Sequence, residues 1–241
     1  MIGIYDSGIG GLGIFKTVRS VLPDESIWYY GDTRYMPFGD RPADEVRTIT
    51  LHGLQRLASQ CAIIVIACNT ASMNDLEYLR SMIAVPIIGV VPVIKTATQI
   101  SQNGQIALLA TVATCQSPAT DHLIQQLAHD KQVIKIACSG LASAIEHATL
   151  TKNQLGGFLQ GINGADVVVL GCTHYTLIKG LIQNLVGPDV RVIDSNEAVA
   201  RQVLRVMRRD QLEQPSTHPA YQFDCSGNKA MFDQQIKKYL A

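Results

Sequence analysis

The feature that most constrains this 241-residue chain is an internal echo of a buried strand that runs into a cysteine. The echo extends upstream, because Asp6 precedes Cys68 by 62 positions and Thr111 precedes Cys172 by 61. A repeat at fixed spacing indicates duplicated structural units. We therefore expect two similar α/β halves that face each other about a pseudo-twofold axis. The echoed segments are AIIVIACNTAS at 62–72 and DVVVLGCTHYT at 166–176.

Short apolar runs alternate with helix-like segments along almost the whole chain. This alternation is typical of parallel sheets that are covered by helices on both faces. Pro42 opens one predicted helix, with Asp44 and Glu45 in its first turn, and Ser117–Ala128 is predicted to be another. The 47% hydrophobic content suffices for buried cores. The runs predicted to be strands are Ile2–Tyr5, Ser26–Tyr30, Ala62–Ala67, Pro86–Val90, Gln105–Ala110, Gln132–Ala137, Asp166–Leu170, Arg191–Ile193 and Tyr221–Asp224.

The sequence thus predicts two similar, doubly wound parallel-sheet domains with an active site in the cleft between them. No low-complexity linker marks the boundary, which we place near Lys95. The final strand and helix, 221–240, follow the completed second half, so we expect them to return to the first. The first predicted domain is 1–94 plus 208–241, and the second is 95–207.

The charge balance favours a small-molecule partner over a nucleic acid. Twenty basic residues offset twenty acidic ones, and no Lys/Arg run or basic patch interleaved with aromatic residues is present. The longest apolar stretches are short or broken by proline, and the opening MIGIYDS lacks a charged leader and an apolar signal core. We therefore expect a cytoplasmic protein without a membrane segment.

The six cysteines are scattered without a Cys-x-x-Cys pair, so the sequence predicts neither a zinc site nor a thioredoxin-like motif. In a reducing cytosol they should be free thiols. Four of them, Cys61, Cys115, Cys138 and Cys225, are interpreted as small buried hydrophobic residues.

Cys68 and Cys172 differ from the other four because each follows an apolar strand and directly precedes residues that cap or begin a helix. Ligands of open parallel sheets collect at such strand ends. A helix start is expected to lower the pKa of a thiol from its usual value of about 8.5. Two thiols on opposite sides of one ligand could remove a proton from one face of a carbon and return one to the other. The pair therefore predicts stereochemical inversion by a cofactor-independent racemase.

Polar residues at the same strand ends are candidate helpers. Asp6 and His174 can exchange protons with a thiol. The side chains of Asn69, Thr70 and Thr173, with the amides of two helix starts, suit a substrate carboxylate. Taken singly, several of these are also common turn or cap residues. Only their combination points to a site.

Two other interpretations stay open at this point. Gly8, Gly10 and Gly13 fit G-x-G-x-x-G after a strand, and Asp32 lies at the end of the second strand, as in a dinucleotide-binding fingerprint. That spacing suggests a nicotinamide-dependent oxidoreductase, but it leaves the duplicated cysteines without a purpose. Paired α/β halves also bind ligands without chemistry, so a two-lobed binding or regulatory protein is a further alternative.

The chain resembles the bacterial glutamate racemases, members of the aspartate/glutamate racemase superfamily, nearly from end to end. The resemblance implies interconversion of L- and D-glutamate with no pyridoxal phosphate, no other cofactor and no metal, to supply D-glutamate for peptidoglycan. It also suggests a homodimer. The motifs that carry it, in the family's order, are DSGIGGL, YYGDTRYMPFG at 29–39, ACNTAS, IIGVVPV, GCTHYTL, IDSNEAVA at 193–200 and FDCSGNKAMF.

The resemblance also implies roles for individual residues. Cys68 would take the proton from the D-enantiomer with help from Asp6, and Cys172 would take it from the L-enantiomer. Glu146 and His174 would assist Cys172. The implied substrate contacts are Asp6, Ser7, Pro37, Phe38, Gly39, Asn69, Thr70, Thr111, Thr114, Thr173 and His174.

Departures from the family pattern are modest. Phe38 stands where relatives usually have Tyr, so a hydroxyl that helps to position substrate is absent. His174 after Cys-Thr, and Ser72 where an aspartate racemase would carry His, favour glutamate over aspartate. Aspartate, or another amino acid of the superfamily, stays the alternative substrate.

Overall fold

The computed structural model describes residues 1–162 and 164–240 of the chain. Nine strands in this described part form two sheets, and every strand pairing is parallel. All nine predicted strands are confirmed, and each end lies within one residue of its predicted position. The strands are β1 Ile2–Asp6, β2 Ile27–Gly31, β3 Ile63–Ile66, β4 Ile87–Gly89, β5 Gln105–Ala110, β6 Gln132–Ala137, β7 Val167–Leu170, β8 Arg191–Ile193 and β9 Tyr221–Cys225.

Helices cover the sheets, and both helices that were predicted from start signals are present. The first, predicted from Pro42, is Ala43–Ala58, and the Ser117 side chain caps the second by accepting from the Ala119 amide at 3.2 Å. No helix among the described residues is both long and apolar enough to cross a bilayer. The helices are α1 Leu12–Val21, α2 Ala43–Ala58, α3 Asn69–Met82, α4 Ile94–Ile100, α5 Val112–Gln116, α6 Pro118–Leu127, α7 Leu141–Glu146, α8 Lys152–Leu159, α9 Thr173–Thr176, α10 Lys179–Val186, α11 Asn196–Arg209 and α12 Lys229–Leu240.

The two sheets repeat one strand order. The first sheet runs β4-β3-β1-β2-β9, and the second, taken in the matching direction, runs β8-β7-β5-β6. This correspondence places the echoed cysteines after β3 and β7, the equivalent neighbours of the central strands β1 and β5. The extra strand β9 pairs with β2, so the end of the chain returns to the first sheet. The predicted fold class of two similar, doubly wound α/β domains is confirmed.

The central strands of each sheet are buried on both faces, as is typical of parallel sheets. In the first sheet, Ile4 and Tyr29 pack toward α1 and α11, whereas Tyr5 and Ile64 pack toward α2 and α3. In the second sheet, the side chains of β5 and β7 likewise alternate between a core with α7, α8 and α10 and a core with α4 and α6. The sheets are therefore rigid supports for the loops at their strand ends.

Helix α11 packs on the first sheet, although the predicted division at residue 207 assigns it to the second domain. Val199, Val203 and Val206 form an apolar stripe on this helix, and they share a core with α1 and with Ile2 of β1. Periodicity shows that a helix has one apolar face but not which sheet covers that face. The division at 94 and 95 stays a prediction.

Candidate active site

One cleft lies at the carboxyl ends of both sheets, and both echoed cysteines line it. Cys68 is the N-cap of α3 and Cys172 is the N-cap of α9, each with extended backbone. Both thiols are almost fully buried, with exposed fractions of 5% and 6%. The duplicated fold therefore brings two sulfur atoms, one from each domain, to the same small space.

The structure brings nearly all the predicted site residues to this cleft. Asp6, Thr114 and Glu146 do not line it but lie buried directly behind its wall. The predicted residues that line the cleft are Ser7, Pro37, Phe38, Gly39, Cys68, Asn69, Thr70, Thr111, Cys172, Thr173 and His174.

The pKa of Cys68 is raised to about 12, so the expectation of a lowered thiol pKa at this helix start is wrong. Burial is the largest cause and the nearby charge of Asp6 adds to it, whereas the amide of Ala71 and the hydroxyl of Ser7 oppose it. The Cys68 thiol lies 3.7 Å from the Ser7 Oγ, to which it donates. A proton acceptor close by is therefore needed to form the thiolate.

Asp6 is a carboxylate close to Cys68 and can accept its proton. Its Oδ2 accepts the amide of Gly11 at 2.7 Å and lies 3.3 Å from the Tyr29 hydroxyl. Its Oδ1 is buried and makes no hydrogen bond within the described part of the chain. Burial raises the pKa of Asp6, although the charge of His174 and the Gly11 amide lower it. The raised pKa of Asp6 lies closer to the pKa of the Cys68 thiol, which suits proton exchange between the two groups.

On the other side of the cleft, His174 and Glu146 form a buried pair. The His174 Nε2 lies 2.7 Å from the Glu146 Oε2, which also accepts the amide of Ile9 at 3.1 Å. Burial lowers the pKa of His174, but hydrogen bonding to Cys172 and Glu146 and their charges outweigh it, so the pKa lies well above its ordinary value. The raised pKa favours the protonated form of His174, which can supply a proton to Cys172.

We expect Glu146→Gln to lower the pKa of His174, because burial then acts without the opposing carboxylate charge. The raised pKa means that the pair stabilises the fold fully below about pH 6.5, and that this contribution is lost as the pH rises through the native pKa. The variant should therefore lose most stability near pH 6. A histidine titration followed by NMR measures the pKa directly, and an unchanged value would contradict this account of the pair.

Three threonine hydroxyls join the two domains at the cleft. Thr70 Oγ1 lies 3.0 Å from Thr111 Oγ1 and 3.4 Å from Thr114 Oγ1, and the Thr111 hydroxyl donates to Thr114 at 3.0 Å. The Asn69 Nδ2 is buried without a partner among the described residues. Hydroxyl and amide donors beside the start of α3 suit a carboxylate.

The segment 37–39 of the first domain covers one side of the cleft and reaches the second domain. Phe38 is 2% exposed and packs into an apolar cluster with residues of α2, including Val46. Gly39 lies against Thr111, and a Cβ at this position would stand 2.8 Å from the Thr111 Cβ. The Phe38 ring carries no hydroxyl and is therefore held by packing alone.

The glycine-rich loop after β1 packs against the second domain. A Cβ on Gly8 would lie 2.5 Å from the Glu146 Oε2, and a Cβ on Gly10 would lie 2.6 Å from the His174 Nδ1. A Cβ on Gly13, in the first turn of α1, would lie 2.8 Å from the Thr176 Oγ1 of α9. Close approach of the two domains therefore accounts for these glycines without a dinucleotide.

Several cleft residues were missed by sequence reasoning. Cys138 was interpreted as a core residue, and it is buried, but it also lines the cleft because it stands at the end of β6. Burial raises its pKa to about 12. The sequence signal that could have found Cys138 is the segment ACSG at the end of β6, which resembles ACNT at the end of β3. The other missed lining residues are Met36, Asp40, Val112, Ser139, Gly140, Ala142 and Ser143.

The chain is similar to known proteins over most of its length. A family profile described as Asp/Glu/Hydantoin racemase matches residues 13–203. A glutamate racemase from Herpetosiphon aurantiacus is 36% identical over 242 residues, which cover 96% of this chain and 94% of that protein. The chain belongs to the Asp/Glu/hydantoin racemase family. It is therefore an isomerase. This finding favours an enzyme over the alternative of a two-lobed binding or regulatory protein.

Solved structures of this racemase family agree with the fold. The glutamate racemase isoform RacE1 from Bacillus anthracis superposes with a TM-score of 0.90 at 29% identity, covering 100% of this chain and 93% of that one. The Escherichia coli glutamate racemase in complex with L-glutamate and the activator UDP-MurNAc-Ala has a TM-score of 0.90 at 27% identity, covering 99% and 94%. The resemblance to glutamate racemases is confirmed.

Proposed function

We propose that this racemase interconverts L- and D-glutamate with two thiols, without a cofactor or metal, and supplies D-glutamate for peptidoglycan. The observation that carries the proposal is the pair Cys68 and Cys172, which stand at equivalent strand ends of two similar domains and line one cleft. Glutamate is the substrate named for the relatives, and one solved relative, from Francisella tularensis, holds D-glutamate.

In the direction from D- to L-glutamate, Asp6 accepts the thiol proton of Cys68 and leaves a thiolate. The thiolate takes the α-proton, and the electron pair of the broken C–H bond moves into the substrate α-carboxylate. The Cys172 thiol then protonates the opposite face of the carbon, where that electron pair forms the new C–H bond. His174 restores the proton on Cys172, and the reverse direction uses the same groups in the opposite order.

Charge develops on the substrate carboxylate during this transfer, and the cleft carries donors that can stabilise it. The Asn69 amide and the Thr70 and Thr173 hydroxyls stand beside the two cysteines at the helix starts. Fixed donors in a buried site lower the barrier because they need no reorganisation as charge appears. We assign the remaining polar contacts of the substrate to Ser7 and Thr111, with Thr114 behind the wall accepting the Thr111 hydroxyl and with 37–39 closing over the substrate.

The decisive test follows pure D-glutamate by circular dichroism in deuterium oxide with no cofactor added. We expect the signal to decay to zero and the L-glutamate formed to carry deuterium at the α-carbon, because the incoming proton comes from a thiol that exchanges with solvent. Product without deuterium would refute a mechanism through exchangeable thiols. Aspartate assayed in parallel tests the alternative substrate, and we expect a much slower rate.

We further propose that the protein acts in the cytoplasm, where its thiols stay reduced, and that it forms a homodimer. Light scattering after size-exclusion chromatography measures the assembly directly.

A further inference from the structure

A single peptide group, between Gly8 and Ile9, connects the two domains at the candidate active site. Its carbonyl oxygen, on Gly8, accepts the hydroxyl of Tyr29 at 2.8 Å. Its N–H, on Ile9, donates to the Glu146 Oε2 at 3.1 Å, and the same oxygen pairs with His174. The peptide therefore has a hydrogen bond at each end, one within the first domain and one to the second domain.

The Tyr29 hydroxyl, which donates to the Gly8 carbonyl, also lies close to Asp6. The Tyr29 oxygen lies 3.3 Å from the Asp6 Oδ2, but a phenol has one hydrogen, and the shorter contact is to Gly8. Burial raises the pKa of Tyr29 well above its usual value, so the side chain stays a phenol and a donor. The titratable side chains that face this hydroxyl are Asp6 and Glu146.

The whole chain of contacts is shielded from water. Tyr29 and Asp6 are fully buried, and the Glu146 and His174 side chains are nearly so. Hydrogen bonds in a medium of low dielectric polarise one another along a chain. The Glu146 carboxylate also lies so close to Gly8 that a Cβ there would overlap it, which fixes the peptide against the carboxylate.

We propose that Tyr29 is a positioning residue whose hydroxyl, through the peptide between Gly8 and Ile9, couples Asp6 to the Glu146 and His174 pair. This proposal rests on the proposed function, because Asp6 serves Cys68 and His174 serves Cys172. The two thiols alternate between thiol and thiolate, so a shared bridge ties the geometry of one helper to that of the other.

The first test is a double-mutant cycle of Tyr29→Phe and Glu146→Gln, read as kcat and KM of glutamate racemisation. We expect Tyr29→Phe to lower kcat about tenfold with a KM change below about twofold, since the hydroxyl acts on helpers rather than on substrate. The double variant should be scarcely slower than Glu146→Gln alone, because both changes break one bridge. Additive effects would overturn the proposal.

Tyr5→Phe is the matched control. The Tyr5 hydroxyl is equally buried in the first domain, but it donates to Asp32 Oδ2 at 3.0 Å rather than to the loop. Its effect on kcat should add to that of Glu146→Gln. The kcat effect of Tyr5→Phe could instead depart from additivity with Glu146→Gln as much as that of Tyr29→Phe does. The coupling would then reflect a general loosening of the domain, and the proposal would be overturned.

A second measurement does not depend on activity. In Tyr29→Phe, the Ile9 amide proton should move upfield in an NMR spectrum of the ¹⁵N-labelled protein, and the His174 ring proton bonded to Glu146 should shift with it. Incorporation of 3-fluorotyrosine at position 29, a stronger donor, should move the Ile9 amide in the opposite direction. Unmoved resonances in both variants would overturn the proposed coupling through the peptide between Gly8 and Ile9. Turnover by the wild-type protein would leave the proposed function standing in that case. Absence of wild-type turnover would overturn the proposed function alone.

Discussion

Replacing Cys68 or Cys172 by Ala is expected to abolish racemisation while the fold survives. Each thiol serves one face of the α-carbon, so neither can replace the other, and loss of a positioned acid or base removes about 10³-fold in rate or more. Cys172→Ala keeps the thiol that attacks the D-enantiomer, so any residual α-proton exchange in deuterium oxide is confined to D-glutamate. The opposite holds for Cys68→Ala. Polarimetry and mass spectrometry measure both quantities.

Cys61→Ala is the control for these two variants. Cys61 belongs to the same apolar cluster as Cys68 and is buried to a similar degree, but it does not line the cleft. The loss of a buried sulfur should therefore lower its thermal stability slightly and leave its turnover unchanged. If either Cys68→Ala or Cys172→Ala racemised glutamate at the wild-type rate, the assignment of two catalytic thiols would be refuted.

Gly10→Ala is expected to cause the second large loss, through the interface between the domains. The added Cβ would lie 2.6 Å from the His174 Nδ1, 2.7 Å from the His174 main-chain nitrogen and 2.8 Å from the Thr173 Oγ1. Main-chain atoms cannot rotate away, so the domains must move apart on the Cys172 side. A displacement near 1 Å can cost about 10²-fold in rate, and we expect kcat/KM to fall by about that factor.

Gly157→Ala separates this steric effect from the general effect of removing a glycine. Gly157 lies exposed within α8 and has no atom within 4 Å of a Cβ placed there. Alanine in that helix should stabilise the fold by about 0.5–1 kcal/mol and leave activity unchanged. Thermal unfolding and initial rates measure both outcomes. Normal activity in Gly10→Ala would mean that the domains tolerate a wider gap than this packing indicates.

The contrast between prediction and structure is clearest at His174 and Glu146. Sequence position made His174 a candidate because it follows a strand and a cysteine, but Glu146 lies 28 residues earlier, on α7, and only family resemblance singled it out. Their 2.7 Å contact depends on the packing of α7 and α9 over β7, which no local pattern encodes. The raised pKa of His174 follows from hydrogen bonding to Cys172 and from that contact with Glu146.

The sequence by itself determined the strands, the duplicated strand order and the placement of Cys68 and Cys172 at equivalent strand ends, because apolar periodicity and an internal repeat are local properties of the chain. Only the tertiary structure decided which sheet α11 covers and why the loop after β1 needs glycine. It also decided that burial raises the Cys68 pKa where a helix start alone would lower it. These properties depend on distances between residues far apart in the chain and on access of water to them. They arise only when the two domains close on each other.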